Sequence, residues 1–349
     1  MKYWLSRVAL VLAVAILLLT FVNASWLAPK PVGGVKLVAH RGVSQLFDHH
    51  GLKRDTCTAT RIEQPVHDYL ENTTRSMQAA ALLGADMVEI DVAPTADGRI
   101  AVFHDWTVDC RTNGTGETRA LTLPQLQALD VGHGYTADGG KAFPFRGRGK
   151  DHIPSLEEAL AALPNTPIIF NFKGTDPREA EQLAAALTTA RRDVVERRDA
   201  FYGDAGPVER IRTLFPKAWA WTKEGAKACT KDYVLTGWTS IVPASCRNNV
   251  LMVPINRQWM FWGWPDRLIQ RMDSVGAKVV VIGPYGEGKA TGLTLPEQLG
   301  EIPSSFNGFV WVDDIWTVGP ALRPRRDFRT QAQMDAAAAG LKRRREEVE

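Results

Sequence analysis

The sequence contains little cysteine and almost no net charge. Only 4 of its 349 residues are cysteine, and none belongs to a Cys-x-x-Cys pair, so a metal–thiolate or dithiol redox site is not indicated. Lysine and arginine exceed aspartate and glutamate by only three, 42 against 39, and the whole surplus lies after residue 322. The body of the chain is therefore neutral, which argues against a nucleic-acid-binding surface.

Internal repeats and low-complexity tracts are also missing from the sequence ahead of its last thirty or so residues. Apolar residues make up 45% of the chain and charged residues 23%, as in ordinary globular proteins. This composition excludes a largely disordered or fibrous chain. The length allows one large domain or two modest ones.

The first residues form a long apolar segment. Lys2 and Arg7 precede fifteen residues, Val8–Val22, of which only one is polar, and Ala24 then offers a small-residue cleavage site. This pattern is typical of a secretory signal, although a slightly longer apolar run would span a membrane. Residues 1–24 are thus either a cleaved signal or a retained anchor. In both cases we expect the body to be exported, periplasmic or extracellular, with membrane association if the segment is retained.

Four cysteines in an exported chain favour disulfides over free thiols. Cys57, Cys110, Cys229 and Cys246 allow three pairings,. Of these we expect the pairing of neighbours along the chain, Cys57 with Cys110 and Cys229 with Cys246.

Short apolar strands alternate with helical patterns over most of the chain, among them a long helical stretch at 177–198, which predicts a parallel α/β fold. The predicted strands number about eight over residues 35–320, which suits a TIM (β/α)8 barrel. A doubly wound sheet is the alternative, but the turn after the first strand lacks the glycine-rich pattern that such a fold uses. Residues 321–349 form a charged C-terminal tail, for which we expect a solvated helix or a disordered arm.

Polar residues are concentrated where the predicted strands end. Glu89 and Asp91 share one face of the second strand because side chains two residues apart point the same way. In a TIM barrel the inward residues at the carboxyl ends of strands build the active site. Paired carboxylates there predict a site for a hard divalent cation.

Neighbouring strands end in the same manner. The first strand ends in His40-Arg41 and the third in His104-Asp105, while Asn171 and Lys173 share a face of the fourth. Arginine and lysine beside a divalent cation suit a phosphate diester, whose transition state gathers negative charge. Two histidines can divide the proton transfers between them.

The motifs that contain these residues resemble, in order, those of the glycerophosphodiester phosphodiesterase family, whose TIM barrel is similar to that of phosphatidylinositol phosphodiesterases. The matching stretches are LVAHRG at 37–42, Glu71-Asn72-Thr73, GADMVEIDV at 84–92, TADG at 95–98 and VFHD at 102–105. The resemblance implies a TIM barrel that hydrolyses small glycerophosphodiesters, or related lipid-derived diesters such as lysolipids, with the help of Mg²⁺ or Ca²⁺.

The resemblance also assigns roles to individual residues. His40 and His104 become the general acid and base, Glu89 and Asp91 ligate the metal ion, and Arg41 and Lys173 contact the phosphate, with Glu71 supporting Arg41.

Two features depart from the family pattern. The family usually has a glutamate as third metal ligand where this sequence has Asn171, whose amide oxygen we expect to serve instead. A long insertion, residues 43–70, also follows the first strand, and its His49-His50 pair is expected to be solvated rather than to bind a second metal.

Two functional alternatives remain at this stage. One is a phospholipase D-like enzyme acting on lysolipids or sphingolipids. The other, motivated by Asn171, is a catalytically inactive module that binds phosphodiesters. The aromatic stretch 259–264 is expected to pack on the barrel or to form a pocket wall, with a lipid-facing patch as the alternative.

Overall fold

The structure, a computed structural model, describes residues 2–53, 56–286 and 291–348. The chain divides into two compact units. Unit 1 comprises Met1–Lys36, Lys223–Thr291 and Gly300–Val310, and unit 2 comprises Leu37–Thr222, Gly292–Leu299 and Trp311–Glu349.

Helices and strands alternate along both units. The helices are α1 (Lys2–Asn23), α2 (Thr74–Leu82), α3 (Leu123–Gln127), α4 (Leu156–Ala162), α5 (Arg178–Thr189), α6 (Ala205–Leu214), α7 (Lys223–Thr236), α8 (Asp266–Asp273), α9 (Ile315–Leu322) and α10 (Gln331–Val348). The strands are β1 (Lys36–His40), β2 (Met87–Pro94), β3 (Ile100–Val102), β4 (Ile168–Phe172), β5 (Ala200–Gly203), β6 (Trp219–Thr222), β7 (Val250–Pro254), β8 (Lys278–Ile282) and β9 (Phe309–Val312).

Parallel strands in the order β6, β5, β4, β2, β1 form the sheet of unit 2. The strands β2 and β4 are buried almost throughout, as expected for parallel strands covered on both faces. The register sets His40 beside Glu89 and Asp91 beside Asn171. The predicted site residues therefore lie at neighbouring positions on adjacent strands.

In unit 1, β7, β8 and the start of β9 pair in parallel, with Val280 beside Phe309. The disulfide Cys229–Cys246 joins α7 to the segment ahead of β7. The other predicted disulfide, Cys57–Cys110, lies within unit 2. Both predicted pairings are confirmed.

Two predicted elements differ from the structure. The third strand is shorter than expected and runs antiparallel to β2, because the turn at Thr95–Gly98 folds it back as a hairpin. The helix expected over 177–198 ends at Thr189. Beyond it Arg191 takes a left-handed backbone conformation, and the guanidinium of Arg192 turns onto the buried Asp199 at 2.7 Å.

The insertion 43–70 is present as a long connection between β1 and α2, and its described part includes a short 3-10 helix at Thr58–Arg61. Residues 54 and 55 of the insertion lie outside the described residues. The charged tail is helical over Gln331–Val348, with most of its described side chains exposed but Arg344 buried. Nη2 of Arg344 lies 2.7 Å from Oδ2 of Asp314, at the start of α9. Met1 and Glu349, at the ends of the predicted leader and tail, lie outside the described residues.

Candidate active site

The end of β1 presents a histidine held in one orientation. Nδ1 of His40 lies 2.7 Å from Oδ1 of Asp313, the residue that follows β9. The other oxygen of Asp313 accepts the backbone N–H of Gly292 at 2.7 Å. The Trp311 ring lies 5.3 Å from the imidazole. With Nδ1 committed to Asp313, the ring can exchange a proton with a substrate only through Nε2.

Arg41 follows His40 in a left-handed backbone conformation, with φ of 61°. Such a conformation is costly for a residue with a Cβ and is characteristic of functional sites. It lets the backbone N–H of Arg41 donate to Oε2 of Glu89 at 3.1 Å. Its guanidinium meanwhile lies 2.8 Å from Glu71 and 3.3 Å from Asp91. One residue thus contacts three carboxylates.

Asp91, at the buried centre of the site, is surrounded by donors. Asn72 and Asn171 each donate from Nδ2 to one of its oxygens at 2.8 Å, and Nζ of Lys173 lies 3.6 Å away. Burial raises the pKa of the Asp91 carboxyl, but Lys173, His104 and Arg41 outweigh it and hold that pKa well below its usual range. Asp91 is therefore ionised throughout the physiological range.

Glu89 is the second carboxylate of β2. Its Oε1 accepts a hydrogen bond from the Tyr202 hydroxyl at 2.8 Å. Burial and the nearby charge of Asp91 raise the pKa of Glu89 above its ordinary value. A buried carboxylate repelled by another carboxylate gains stability from any additional cation nearby.

The second histidine is held in the same way as the first. His104 follows β3, and its Nδ1 lies 2.6 Å from Oδ1 of Asp105. The guanidinium of Arg111 donates from Nε to the other oxygen of Asp105 at 2.8 Å and lies 3.1 Å from Glu71. Arg111 is buried, and its remaining nitrogens donate to the hydroxyls of Tyr135 and Thr58.

A disulfide lies immediately beside this support. Cys57 precedes Thr58 and Cys110 precedes Arg111, so the bond between the cysteines ties together the two chain segments that meet at the Arg111 guanidinium. Crosslinked segments restrict each other's movement. The covalent link therefore helps to fix Arg111, which in turn orients Asp105.

The two histidines differ in basicity. Burial and Arg41 lower the pKa of His40, but the hydrogen bond and charge of Asp313, together with Glu89, outweigh them and raise it above its ordinary value. Burial, followed by the charge of Arg41, lowers the pKa of His104 to about 4. The two environments thus push the pKa values of the rings apart, that of His40 upward and that of His104 downward,.

The structure brings the predicted site residues into one network of contacts within unit 2. The members singled out from the sequence are His40, Arg41, Glu71, Glu89, Asp91, His104, Asn171 and Lys173. Sequence reasoning missed the supporting residues Asn72, Arg111, Tyr202 and Asp313. Asn72 lay within a recognised motif, and Asp313 lay at the end of the last predicted strand, so its position was a usable signal.

The predicted metal ligands can be compared with what a divalent cation requires. No group of three or more histidine, cysteine, aspartate or glutamate side chains suited to a metal occurs in the described part of the chain. The predicted set has only two carboxylates, Glu89 and Asp91, and its third member is an amide. Oδ1 of Asn171 has no hydrogen-bond partner among the described residues, although the side chain is only 3% exposed. A buried, unpaired oxygen beside two carboxylates fits a hard cation.

The fold and site together define a parallel α/β protein with histidines, carboxylates and cationic side chains gathered at its strand ends, a set of groups suited to a phosphodiester. The model of the "Glycerophosphoryl diester phosphodiesterase family" matches residues 40–241. This match covers more than half of the chain, and the protein belongs to that family.

Curated relatives match over shorter stretches. The chain is 35% identical over 103 residues to the glycerophosphodiester phosphodiesterase of Caldanaerobacter subterraneus, a match covering 30% of this chain and 39% of that protein. It is 36% identical over 134 residues to human glycerophosphodiester phosphodiesterase 1, covering 37% of this chain and 38% of the relative. The chain thus spans about two fifths of the length of these relatives.

Solved structures share the fold over most of the chain. A glycerophosphodiester phosphodiesterase from Agrobacterium tumefaciens matches 83% of this chain and 99% of its own, with a TM-score of 0.54 at 20% identity. An Oleispira antarctica phosphodiesterase, solved in complex with the product sn-glycerol-3-phosphate, matches 83% of this chain and 97% of its own, with a TM-score of 0.52 at 18% identity. The predicted TIM-barrel fold with its long insertion after β1 is confirmed.

Proposed function

We propose that this protein is a metal-dependent phosphodiesterase that hydrolyses glycerophosphodiesters, or related lipid-derived diesters, to an alcohol and a glycerol phosphate. The observation that carries the proposal is the arrangement of two histidines, each held at Nδ1 by an aspartate, around buried carboxylates and cations. Family membership supports it. The product bound to the Oleispira antarctica relative supports glycerol phosphate as the product here.

Arg41 and Lys173 are the proposed phosphate contacts. Both already lie beside Asp91, at 3.3 Å and 3.6 Å, so their charges are positioned before a substrate arrives. Preorganised cations stabilise the charge that develops on the oxygens of a phosphodiester in its transition state. Glu71 accepts a hydrogen bond from Nη1 of Arg41 at 2.8 Å and so restrains the guanidinium.

Glu89, Asp91 and Oδ1 of Asn171 are the residues that would hold a divalent cation, either Mg²⁺ or Ca²⁺. When bound, such an ion acts as a Lewis acid on a phosphoryl oxygen. The raised pKa of Glu89, caused by burial and by Asp91, and the unpaired oxygen of Asn171 are both consistent with this assignment.

The histidine pair carries the proton transfers. His40, held by Asp313 and more basic than usual, is suited to donate a proton to the departing alkoxide. His104, neutral near pH 7, is suited to accept a proton from the attacking water or hydroxyl. Positioned general acids and bases of this kind typically contribute about 10²–10⁴-fold each.

The proposed enzyme acts outside the cytoplasm on small molecules. The two disulfides support an oxidising compartment,, and the apolar helix α1 supports export,. We therefore place the enzyme in the periplasm or the extracellular space, with glycerophosphodiesters or lysolipids as substrates and no nucleic-acid partner.

A product analysis tests the proposal. The full chain is incubated with glycerophosphocholine, glycerophosphoethanolamine and lysophosphatidylcholine, with Mg²⁺, with Ca²⁺ or with a chelator, and the products are identified by ³¹P NMR. We expect glycerol phosphate to appear from the glycerophosphodiesters and the chelator to abolish its formation. Turnover of lysophosphatidylcholine alone, to a phosphomonoester or a cyclic phosphate, would favour the phospholipase D-like alternative. No turnover under any condition would favour the inactive binding module.

A further inference from the structure

Helix α1 has the length and surface of a membrane-spanning segment. Its 22 residues at 1.5 Å per residue give about 33 Å, enough to cross a hydrocarbon core of roughly 30 Å. Its most apolar window is not buried against the rest of the chain. The hydroxyls of Ser6 and Thr20 donate to carbonyls of their own helix, at Tyr3 and Ile16, so both of these hydroxyls are hydrogen-bonded without water.

The C-terminal end of α1 is hydrogen-bonded to a buried arginine elsewhere in unit 1. Arg271 on α8 is 8% exposed, and its guanidinium donates to the carbonyl of Val22 at 2.9 Å and to Oδ1 of Asn23 at 3.0 Å. The same guanidinium donates to the hydroxyls of Ser240 and Tyr233. A buried guanidinium needs acceptors for its N–H groups, and residues 22 and 23 supply two of them in a polar site inside unit 1 that also includes the carbonyls of Gly237 and Trp262.

The predicted cleavage bond also belongs to this packed region. Ala24 is 4% exposed, and the next residue, Ser25, accepts the backbone N–H of Asp266 at its hydroxyl. On the other side Nδ2 of Asn23 donates to the carbonyl of Trp238 at 3.0 Å. Cleavage after Ala24 would remove two acceptors from Arg271 and one donor from Trp238. The folded unit therefore uses the segment that a signal peptidase would discard.

Exposed apolar side chains are concentrated around the C-terminal end of α1. We define the aromatic collar as Trp26, Trp238, Trp259 and Trp262, all in unit 1 and all exposed, with Trp259 at 78%. An open cavity of about 580 Å³ lies beside it, lined by Asn23 and residues 258–264. The aromatic stretch 259–264 thus lines a cavity, while the side chains of Trp259 and Trp262 remain exposed. Tryptophan is the residue enriched where a protein crosses the headgroup region of a bilayer.

We propose that the mature protein retains α1 as a membrane anchor and that the aromatic collar lies in the headgroup region of a phospholipid bilayer. The occupant is argued from continuity, because Trp26 of the collar follows closely on the end of the apolar helix, and Asn23, the last residue of that helix, lines the cavity beside the collar. Indole rings suit this region since they combine a large apolar face with one hydrogen-bond donor. The inference goes beyond the proposed catalytic function and does not depend on it.

The first test determines the N-terminus of the mature chain. The full sequence is expressed with export, membranes are washed with alkaline carbonate, and the retained protein is analysed by intact mass spectrometry. We expect a membrane-bound chain that includes residues 2–24. A mature chain that begins at Ser25 would overturn the proposal, whatever its catalytic activity.

The second test locates the collar. The full chain is placed in nanodiscs of phosphatidylcholine brominated at shallow acyl positions, one chain per disc, and quenching of tryptophan emission is measured. We expect the Trp26→Phe/Trp259→Phe double variant to lose part of the quenched emission. Trp221→Phe is the matched control, since that ring is buried within the protein and should lose only unquenched emission. Quenched emission unchanged in the double variant would show that the collar does not reach lipid and would overturn its assignment. Loss of quenching in the double variant but not in the control supports it.

Discussion

Asp313 offers the sharpest test of how the site works, because it touches His40 and was not recognised from the sequence. Its carboxylate lies 2.7 Å from Nδ1 of the imidazole and is the main reason why the pKa of that ring is raised in spite of burial. Asp313→Asn preserves the shape of the side chain and an oxygen for the N–H of Gly292. The substitution removes the negative charge that orients His40 and favours its protonated form.

The expected loss is set by the role of the histidine. If His40 is the general acid, misplacing its proton should lower kcat/KM by about 10²–10⁴-fold. At about 1.4 kcal/mol per tenfold change, this corresponds to roughly 3–5 kcal/mol of transition-state stabilisation. Because Asp313 favours the protonated ring, its loss should also lower the pKa of His40. The alkaline limb of the pH–rate profile should therefore move to lower pH.

The assay follows glycerol phosphate release from a glycerophosphodiester between pH 5 and 9 in the wild type and in Asp313→Asn. Asp327→Asn is the control, since Asp327 pairs with Arg329 in the same unit but outside the site. Melting temperatures confirm that both variants fold. If Asp313→Asn retains wild-type kcat/KM and an unmoved alkaline limb, Asp313 does not position His40 and the proposed proton path is wrong.

The remaining predictions concern the histidines, the third metal ligand and the disulfides. Alanine at His40 or at His104 should lower kcat by about 10²–10⁴-fold without lowering the melting temperature; a folded variant with near-normal turnover would contradict the assignment. Asn171→Glu should tighten binding of Mg²⁺ or Ca²⁺ in isothermal titration calorimetry, and Asn171→Leu should weaken it. Reduction should cost about 2–4 kcal/mol of unfolding free energy per disulfide, and four alkylatable thiols in unreduced protein would refute that prediction. Burial lowers the pKa of His67 to about 4, so the unfolded chain binds a proton that the native state does not. Unfolding free energy should therefore fall by up to about 3 kcal/mol between pH 6.5 and 4, and this slope should be smaller in His67→Gln.

The polar site residues on the strands could be predicted from the sequence because buried strands otherwise consist of apolar residues. The strands β2 and β4 read as apolar runs interrupted only by Glu89, Asp91 and Asn171, and a polar residue in such a run must face a site or a partner. Period-two alternation then places those side chains on one face. The register observed between the strands, with Asp91 beside Asn171, follows from the same pattern.

The residues that orient the site residues were harder to predict because their contacts join positions far apart in the sequence. His40 and Asp313 are 273 positions apart, and no local pattern connects them. The left-handed backbone of Arg41 is likewise imposed by what its N–H and side chain bind, whereas local propensity would oppose it. The reversed direction of β3 arose from turn chemistry at Thr95–Gly98, which an apolar pattern alone does not reveal.

The balance of charge explains why the amide at Asn171 matters for substrate as well as for metal. Five buried or half-buried carboxylates face three permanent cations in the network. With His40 protonated, as its proposed role of general acid requires, and His104 neutral, the site carries about one negative charge. The carboxylates are Glu71, Glu89, Asp91, Asp105 and Asp313, and the permanent cations are Arg41, Arg111 and Lys173.

With the proposed divalent cation the total becomes about plus one, which matches the single negative charge of a phosphodiester. A glutamate at position 171 would bring the loaded site to zero. Asn171→Glu should therefore bind the metal more tightly but raise KM for an anionic diester, because like charges repel in a site of low dielectric. Asn171→Leu keeps the charge but removes the oxygen, so it should weaken metal binding and depress kcat. Metal titration and steady-state kinetics on both variants separate these effects. If Asn171→Leu retains both metal affinity and turnover, the amide is not a ligand of the metal ion, and another group must take that place in its coordination.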